Sequence, residues 1–198
     1  MNDWSHDAVF YHIYPLGLCG APQRNDPLGA PVPRLAELHG WIDHLRTLGV
    51  NALYLGPLFE SSAHGYDTAD YTQVDRRLGD NSTLVALSTA LHAAGIRLIL
   101  DGVFNHVGRD FPAFRELQAQ GADSPYRDWF VGIDFNRRSP YGDRFSYSGW
   151  SGNYDLVKLN LRHPAVREHL FAAVRQWFEQ FQIDGLRLDV AEDIDPTF

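Results

Sequence analysis

The segment GLRLDVAED places an arginine and an aspartate two residues apart, at Arg187 and Asp189. Side chains two residues apart share one face of a β-strand, so this pair points away from Leu186 and Leu188, which suit packing against helices. A carboxylate beside a permanent cation stays ionised at neutral pH, and an ionised carboxylate can act as a nucleophile. Taken alone, the pair also fits a buried ion pair that only stabilises the fold.

A second group of polar residues ends another apolar stretch, in the segment DGVFNH. With the two-residue period of a strand, Asp101 and Asn105 lie on one face, and His106 opens the loop that follows. Buried polar side chains need partners, because leaving one unpaired is costly. The simpler alternatives are that Asp101 caps backbone amides and that His106 is a surface histidine.

The segment SSAHGYDTADY crowds polar and aromatic side chains into one loop. It contains His64, Tyr66, Asp67, Asp70 and Tyr71. Gly-Tyr-Asp is also ordinary turn chemistry, so a plain structural loop is the alternative interpretation.

Four short apolar runs are typical of the buried strands that would position these residues. Runs that are apolar on both faces favour a parallel sheet covered by helices. The predicted strands are Ala8–Leu16, Asn51–Phe59, Arg97–Phe104 and Gly185–Ala191.

Helical patterns separate the predicted strands. Apolar residues recur at helical spacing over residues 38–48, which Gly49 ends, and over residues 84–91, with Gly95 as the stop. A third helix begins at Pro164, since proline is favoured in the first helical turn. The alternation indicates right-handed β/α units, whose catalytic groups gather at the C-terminal ends of the strands.

The segment from Val107 to about His163 interrupts this alternation. It is rich in Gly, Pro, Asp, Ser and aromatic residues and shows no sustained periodicity. Loops of this length inside a compact domain are usually functional or form a small subdomain. We therefore expect a separate unit between the third and fourth strands.

The composition excludes several classes of protein. The chain has 198 residues, 44% of them hydrophobic and 13% aromatic, which is enough for one domain with a sizeable core. A formal net charge of -8 without any run of Lys or Arg argues against a nucleic-acid partner. A single cysteine, Cys19, excludes a disulfide framework.

Membrane and secretory segments are not visible in the sequence. No stretch approaches the roughly 18 to 20 uninterrupted apolar residues of a membrane span, so we expect no membrane partner. The N-terminal sequence MNDWSHDAVF lacks the basic start and apolar core of a secretory signal. The prediction is a cytoplasmic protein.

The three segments, in this order, resemble motifs of the α-amylase family of glycoside hydrolases. The matching pieces are HGYDTADY (His64 to Tyr71), DGVFNH (Asp101 to His106) and GLRLDVA (Gly185 to Ala191). The segment LVKLN (Leu156 to Asn160) is similar to a fifth motif of the cyclomaltodextrinase and neopullulanase branch.

The resemblance implies an α/β fold of the (β/α)8 TIM-barrel type. Residues 1–106 and 164–198 would supply the first four β/α units, the N-terminal half of the catalytic barrel. Residues 107–163 fall where the family inserts a domain called B, after the third strand.

The resemblance also implies roles for individual residues. By this resemblance Asp189 would be the catalytic nucleophile, and Arg187 would orient it and maintain its charge. Tyr66 stacks on the sugar ring at the cleavage subsite, His106 hydrogen-bonds hydroxyls of that sugar, and Asp101 is a buried partner that supports the site.

Three further positions follow from the resemblance. Asp70 joins the substrate-binding residues, and Asn105 matches a side chain that in many members ligates calcium, a hard cation that prefers oxygen. Glu192 and Asp193 replace a lysine and a histidine that serve the acceptor side in many α-amylases, which leaves leaving-group specificity open.

The family's reaction is retaining and needs two carboxyl groups about 5 to 5.5 Å apart. The general acid is a glutamate at the fifth strand, which this sequence does not reach, so we expect the 198 residues alone to be inactive on α-glucans. The alternatives are a non-catalytic sugar-binding half-barrel and a metal-dependent hydrolase that uses Asp101, His106 and Asp189.

The expected partner is an α-glucan oligosaccharide. Four strands of a barrel expose two edges and an apolar inner face, which invites further pairing. We therefore also expect a complementary C-terminal half or a homo-oligomer.

Overall fold

The centre of the fold is a sheet of four parallel strands. The strands are β1 (Phe10–Ile13), β2 (Ala52–Leu55), β5 (Arg97–Gly102) and β9 (Gly185–Leu188). They lie in the order β1-β2-β5-β9, and each neighbouring pair is parallel. The four predicted strands are confirmed, each ending earlier than the apolar run that predicted it.

The computed structural model describes residues 4–198. The first three residues of the N-terminal sequence that argued against a secretory signal therefore lie outside the described residues. Within residues 4–198, no helix combines the length and the apolar character needed to cross a bilayer.

Helices connect the strands, and all but the short α1 were predicted from the periodicity. The connections contain α1 (Pro15–Leu18), a 3-10 helix (Arg34–Trp41), α2 (Ile42–Thr47), α3 (Asn81–Ala93) and α5 (Pro164–Gln180). The first predicted helix differs in one respect, since its N-terminal half is 3-10 rather than α. Gly49 and Gly95 follow the helix ends at a φ of 76°, a left-handed conformation that glycine adopts at little cost.

One hydrophobic core joins the sheet to its helices. Leu84, Leu87 and Leu91 are the buried stripe of α3, as the helical period requires. Trp177 of α5 stacks on Phe59, with ring centroids 4.4 Å apart. Residues of the central strands and of the helices thus belong to one buried cluster.

An antiparallel hairpin follows β2 and carries the loop with Tyr66. Its strands are β3 (Phe59–Ser61) and β4 (Thr68–Val74). The expectation of one loop from His64 to Tyr71 is therefore wrong for Asp70 and Tyr71, which lie in β4. A buried ion pair braces the hairpin: Arg77 Nη2 donates to Asp75 Oδ2 at 2.6 Å, and Arg77 Nη1 donates to the backbone oxygen of Ala63 at 2.6 Å. Since a buried guanidinium needs its partners in place, this pair fixes the start of the loop.

The segment between the third and fourth strands of the central sheet has its own regular structure. Its elements are β6 (His106–Gly108), α4 (Pro112–Gln120), 3-10 turns at Gly121–Asp123 and Arg127–Trp129, β7 (Gly149–Trp150) and β8 (Asn153–Lys158). The strands form a sheet in the order β6-β8-β7, and Phe114 of α4 packs edge-on against Phe130, Phe145 and Tyr147. Helix α4 was not predicted, because nine residues hold too few apolar repeats to show a period.

The two outer strands of the central sheet each pair on one side only among residues 4–198. Phe10 of β1 is 54% exposed and Leu188 of β9 is 45% exposed. The expectation that Leu188 packs against helices is wrong, because β9 is an edge strand and no described element covers this position. Leu186 does pack against the core.

Candidate active site

Three charged side chains meet where β5 and β9 end. The parallel register pairs Asp101 directly with Arg187. Arg187 Nη1 donates to Asp189 Oδ1 at 2.7 Å and to Asp101 Oδ1 at 3.0 Å. One guanidinium nitrogen thus bridges two carboxylates from neighbouring strands. The strand period predicted that Arg187 and Asp189 share a face, whereas the contact with Asp101 comes from the pairing of β5 with β9.

The charges of this trio are set by burial and by hydrogen bonds. Burial acts against the charge of Arg187, but its hydrogen bonds to Asp189 and Asp101 outweigh burial and raise the pKa of the guanidinium. Burial raises the pKa of Asp101, and the hydrogen bonds from Tyr54 and Arg187 only partly oppose it. Arg187 therefore remains a fixed cation beside Asp189.

Tyr54 belongs to this site, and sequence reasoning missed it. Its hydroxyl donates to Asp101 Oδ2 at 2.5 Å, and its ring stacks on His12 with centroids 4.3 Å apart. Burial, followed by the contact with Asp101, raises the pKa of Tyr54. The signal was available, since Tyr54 puts a polar atom on a buried strand next to the one that carries Asp101.

Tyr66 lies close to the same carboxylates. Its pKa is raised by burial first and then by the charges of Asp101 and Asp189. The neighbouring His64 places its ring 6.1 Å from the ring of Tyr66, and its Nδ1 lies 3.4 Å from Asp67 Oδ1. The charges of Asp101 and Asp189 thus act on an aromatic side chain of this loop, and the sugar-stacking role of Tyr66 stays a prediction.

His106 is held at the start of β6, where its side chain is almost completely buried. Asn105 Nδ2 donates to His106 Nδ1 at 3.2 Å, and the ring of Trp150 stacks on the imidazole with centroids 5.6 Å apart. Burial lowers the pKa of His106 to about 4, so the ring is neutral at pH 7. The alternative of an ordinary surface histidine is therefore wrong.

Asp70 is not brought to the trio. Its Oδ1 accepts hydrogen bonds from the backbone nitrogen and the hydroxyl of Thr72, at 2.7 and 2.6 Å. Its charge acts on His169 of α5, which packs edge-on against Tyr71. Among residues 4–198, no hydrogen bond or ion pair connects Asp70 to Arg187 or Asp189.

The backbone is strained directly after Asp189. Val190 has φ 43° and ψ 48°, a left-handed conformation that is unusual for a β-branched side chain. Strain of this kind is found preferentially at functional sites, where the surrounding structure holds it in place. Here it turns the chain from β9 into the 3-10 turn Ala191–Asp193.

A comparison with protein-family sequence models identifies the family of this chain. The sequence model of the α-amylase catalytic domain matches residues 34–197, which is most of the chain. The chain belongs to the α-amylase family.

Curated relatives and solved structures of this family match the chain over almost its whole length. A cyclomaltodextrinase from a Bacillus species is 40% identical, with 98% of this chain and 37% of the relative covered. Neopullulanase 2 of Thermoactinomyces vulgaris is 40% identical, with 99% and 36% covered. The ligand-free cyclic α-maltosyl-(1→6)-maltose hydrolase of Arthrobacter globiformis gives a TM-score of 0.84 at 38% identity, with 98% and 47% covered. The chain thus spans less than half the length of these α-amylase-family proteins.

The calcium that the α-amylase family implies at Asn105 can be tested against the residues present. Asn105 Oδ1 is buried without a hydrogen-bond partner, which favours a bound cation. The cavity of about 250 Å³ beside it is also lined by Lys158 and Arg162, which repel one.

The carboxylates of this cavity are already engaged. Asp195 accepts from Arg162 Nε at 2.5 Å, and Asp193 accepts from Trp150 Nε1 at 2.8 Å. Calcium takes six to eight oxygen ligands, and no group of three or more His, Cys, Asp or Glu that could hold a metal occurs among residues 4–198. The residues present do not fit a calcium ion, and they give no support to a metal-dependent hydrolase built on Asp101, His106 and Asp189.

Proposed function

We propose that this chain supplies the nucleophile side of a retaining glycosidase site that acts on α-glucans. The observation that carries the proposal is the sharing of Arg187 Nη1 by Asp189 and Asp101 at adjacent strand ends. The substrate class is inferred from relatives named cyclomaltodextrinase, neopullulanase 2 and cyclic α-maltosyl-(1→6)-maltose hydrolase. A maltooligosaccharide is therefore the proposed ligand.

Asp189 is the proposed nucleophile. Arg187 binds its Oδ1, which leaves Oδ2 without a protein hydrogen bond among the described residues. Oδ2 attacks the anomeric carbon and forms a carbon–oxygen bond, while the bond to the leaving oxygen breaks and a carboxylic acid protonates that oxygen. Water then hydrolyses the glycosyl ester and restores the carboxylate.

Asp101 is proposed as a positioning residue rather than as the acid. Asp101 is linked to Asp189 through the shared Arg187 guanidinium. Its side chain is 0% exposed, however, and its two oxygens accept hydrogen bonds from Arg187 and Tyr54. A proton donor must reach the leaving oxygen, which a sealed carboxyl cannot do. We propose that the second catalytic acid lies outside the 198 residues and that these residues alone do not cleave maltooligosaccharides.

Tyr66 is the proposed stacking platform for the sugar, since it is an aromatic side chain whose pKa is raised by the charges of Asp101 and Asp189. His106 is the proposed partner of a sugar hydroxyl. Asp70 was predicted to bind substrate as well, but its carboxylate accepts hydrogen bonds from Thr72. We therefore leave Asp70 out of the proposed site.

The proposed architecture is that of a barrel with an insertion. The four parallel strands would be the first four of a (β/α)8 barrel, and residues 107–163 would be domain B. The strand order and the TM-score of 0.84 over 47% of a family structure support this proposal. We also propose a cytoplasmic location, in keeping with a relative named intracellular maltogenic amylase from Bacillus subtilis.

The nucleophile can be tested without the missing acid by using α-maltosyl fluoride. Fluoride leaves without being protonated, so the chain should release it and accumulate a maltosyl ester on the peptide that contains Asp189, detected by mass spectrometry. Asp189→Asn should abolish both signals, whereas Glu192→Gln, a nearby exposed carboxylate, should keep them.

Three outcomes would contradict the proposal. Fluoride release that survives Asp189→Asn would show that another group reacts. Maltotriose binding in calorimetry without any ester from the fluoride would favour the non-catalytic sugar-binding half-barrel. Cleavage of maltotriose by the chain alone would show that the second acid is present after all.

A further inference from the structure

Trp150 connects two parts of the chain across the candidate site. Its ring stacks on His106 at an interplanar angle of 27°, and its Nε1 donates to Asp193 Oδ2 at 2.8 Å. Trp150 lies in the inserted segment, whereas Asp193 lies in the 3-10 turn just after Asp189. The indole therefore contacts both His106 and the turn that follows the proposed nucleophile.

In this arrangement the His106 imidazole is shielded from solvent. Its side chain is 1% exposed, and its Nε2 is buried without any hydrogen-bond partner. Leaving a buried polar atom unpaired is costly, so the closed state is not the best state for this atom. A hydroxyl that reached Nε2 would remove that cost, but nothing can reach it while the ring is covered.

Few backbone contacts hold Trp150 in place. It ends strand β7, which has two residues, and it pairs with Asn153 across a turn in which Ser151 and Gly152 have φ of 50° and 79°. Such a two-residue hairpin tip can move without disturbing the core. Trp150 and Asp193 form an exposed hydrogen bond, which a modest change would break.

We propose that Trp150 is a lid over His106 and that Asp193 is the latch that holds it closed. Opening the lid exposes Nε2 to a hydroxyl of the sugar, so the pair controls access to the site. The part of this inference that concerns sugar rests on the proposed function, whereas the lid itself does not.

The lid is tested by the reactivity of His106 toward diethyl pyrocarbonate, measured by mass spectrometry on the full chain. His39, an exposed histidine far from the site in sequence, is the internal reference. In the wild-type chain His106 should react much more slowly than His39. Asp193→Ala should raise the rate at His106 about fivefold, because one hydrogen bond no longer holds the lid.

Matched variants separate the latch from general loosening. Asp193→Asn keeps a carbonyl oxygen that accepts from the indole, so its His106 rate should stay close to wild type. Glu192→Ala removes a neighbouring exposed carboxylate and should have no effect. Trp150→Phe keeps a ring without the N–H, so it should react like Asp193→Ala, and the double variant should react no faster than either single one.

Opposite results would overturn the lid. One such result is that His106 reacts as fast as His39 in the wild-type chain. The others are that Asp193→Ala leaves the His106 rate unchanged, or that the two substitutions have additive effects on this rate in the double variant.

A second measurement relates the lid to sugar. In calorimetry with maltotriose, Asp193→Ala should bind more tightly than wild type, because less of the binding free energy is used to open the lid. If the Asp193→Ala chain instead binds maltotriose more weakly, Asp193 contacts the sugar directly and its proposed role as the latch is wrong. If no variant binds maltotriose while the His106 rates behave as expected, the proposed sugar function fails and the lid stands.

Discussion

Tyr54 donates its phenolic hydrogen to Asp101 Oδ2 at 2.5 Å, across the adjacent strands β2 and β5. The other oxygen of Asp101 accepts from Arg187, which in turn holds Asp189. Three neighbouring strands are thus joined by one chain of hydrogen bonds that ends at the proposed nucleophile. The stability of this chain should be measurable one member at a time.

Tyr54→Phe should lower the free energy of unfolding by about 1–3 kcal/mol, because it leaves one oxygen of a buried carboxyl group unpaired. It should also raise the pKa of Asp101 further, since the hydrogen bond from Tyr54 opposes the effect of burial. Urea denaturation measures the first effect. Tyr11→Phe is the control, because the Tyr11 hydroxyl makes no hydrogen bond to any of residues 4–198. Equal losses in both variants would contradict the prediction.

Asp184 should make the stability of the chain depend on acid pH. It accepts from the backbone nitrogen of Leu98 at 2.9 Å, from Arg97 Nη1 at 2.6 Å and from His92 Nε2 at 2.8 Å. Burial acts to raise the pKa of Asp184, but these bonds outweigh burial and hold the pKa below its ordinary value.

A depressed carboxyl pKa stabilises the folded state above the ordinary pKa, near pH 4, and this contribution is lost as pH falls through the folded pKa. Asp184→Asn should therefore cost about 1–3 kcal/mol at pH 7, and the difference from wild type should shrink below about pH 4. Denaturation from pH 3 to 7 measures it, with the exposed Asp123→Asn as control. A difference that stays constant over this range would be evidence against the ion pair.

Calcium should not stabilise this chain. Lys158 and Arg162 line the cavity beside Asn105, and the nearby carboxylates are engaged. Adding millimolar calcium chloride or a chelator should leave the melting temperature unchanged. In Lys158→Asp, a carboxylate replaces the ammonium, and calcium should raise the melting temperature by about 2–4 °C, while magnesium should not. A calcium-dependent shift in the wild-type chain would contradict this prediction.

The chain by itself should associate through its open strand edges. Phe10 and Leu188 are exposed on the two outer strands of the sheet, and unpaired edges recruit further strands. Light scattering should show oligomers or aggregates, and Leu188→Lys should reduce them, because a charged side chain on an edge opposes pairing. Leu28→Lys changes a more exposed leucine in a loop and should have little effect. A monodisperse wild-type monomer would be the contrary result.

Local sequence patterns predicted the elements and part of the site. The order of strands and helices followed from apolar periods of two and 3.6 residues and from glycine and proline at helix ends. The placement of Arg187 and Asp189 on one face followed from the same two-residue period. The sequence did not predict α4, the hairpin β3-β4 or the sheet β6-β8-β7, because short elements with few apolar repeats leave little periodic signal.

The contacts between distant residues were decided by the tertiary structure alone. No local pattern predicts that Tyr54 donates a hydrogen bond to Asp101 or that the Trp150 ring stacks on His106. Nor does any predict that Asp70 accepts hydrogen bonds from Thr72 and does not contact the candidate site. Neither could the sequence show that Leu188 stands on an uncovered edge. Side-chain direction within a strand is a local property of the backbone, whereas the partner of a side chain depends on strand register and on how separate elements pack.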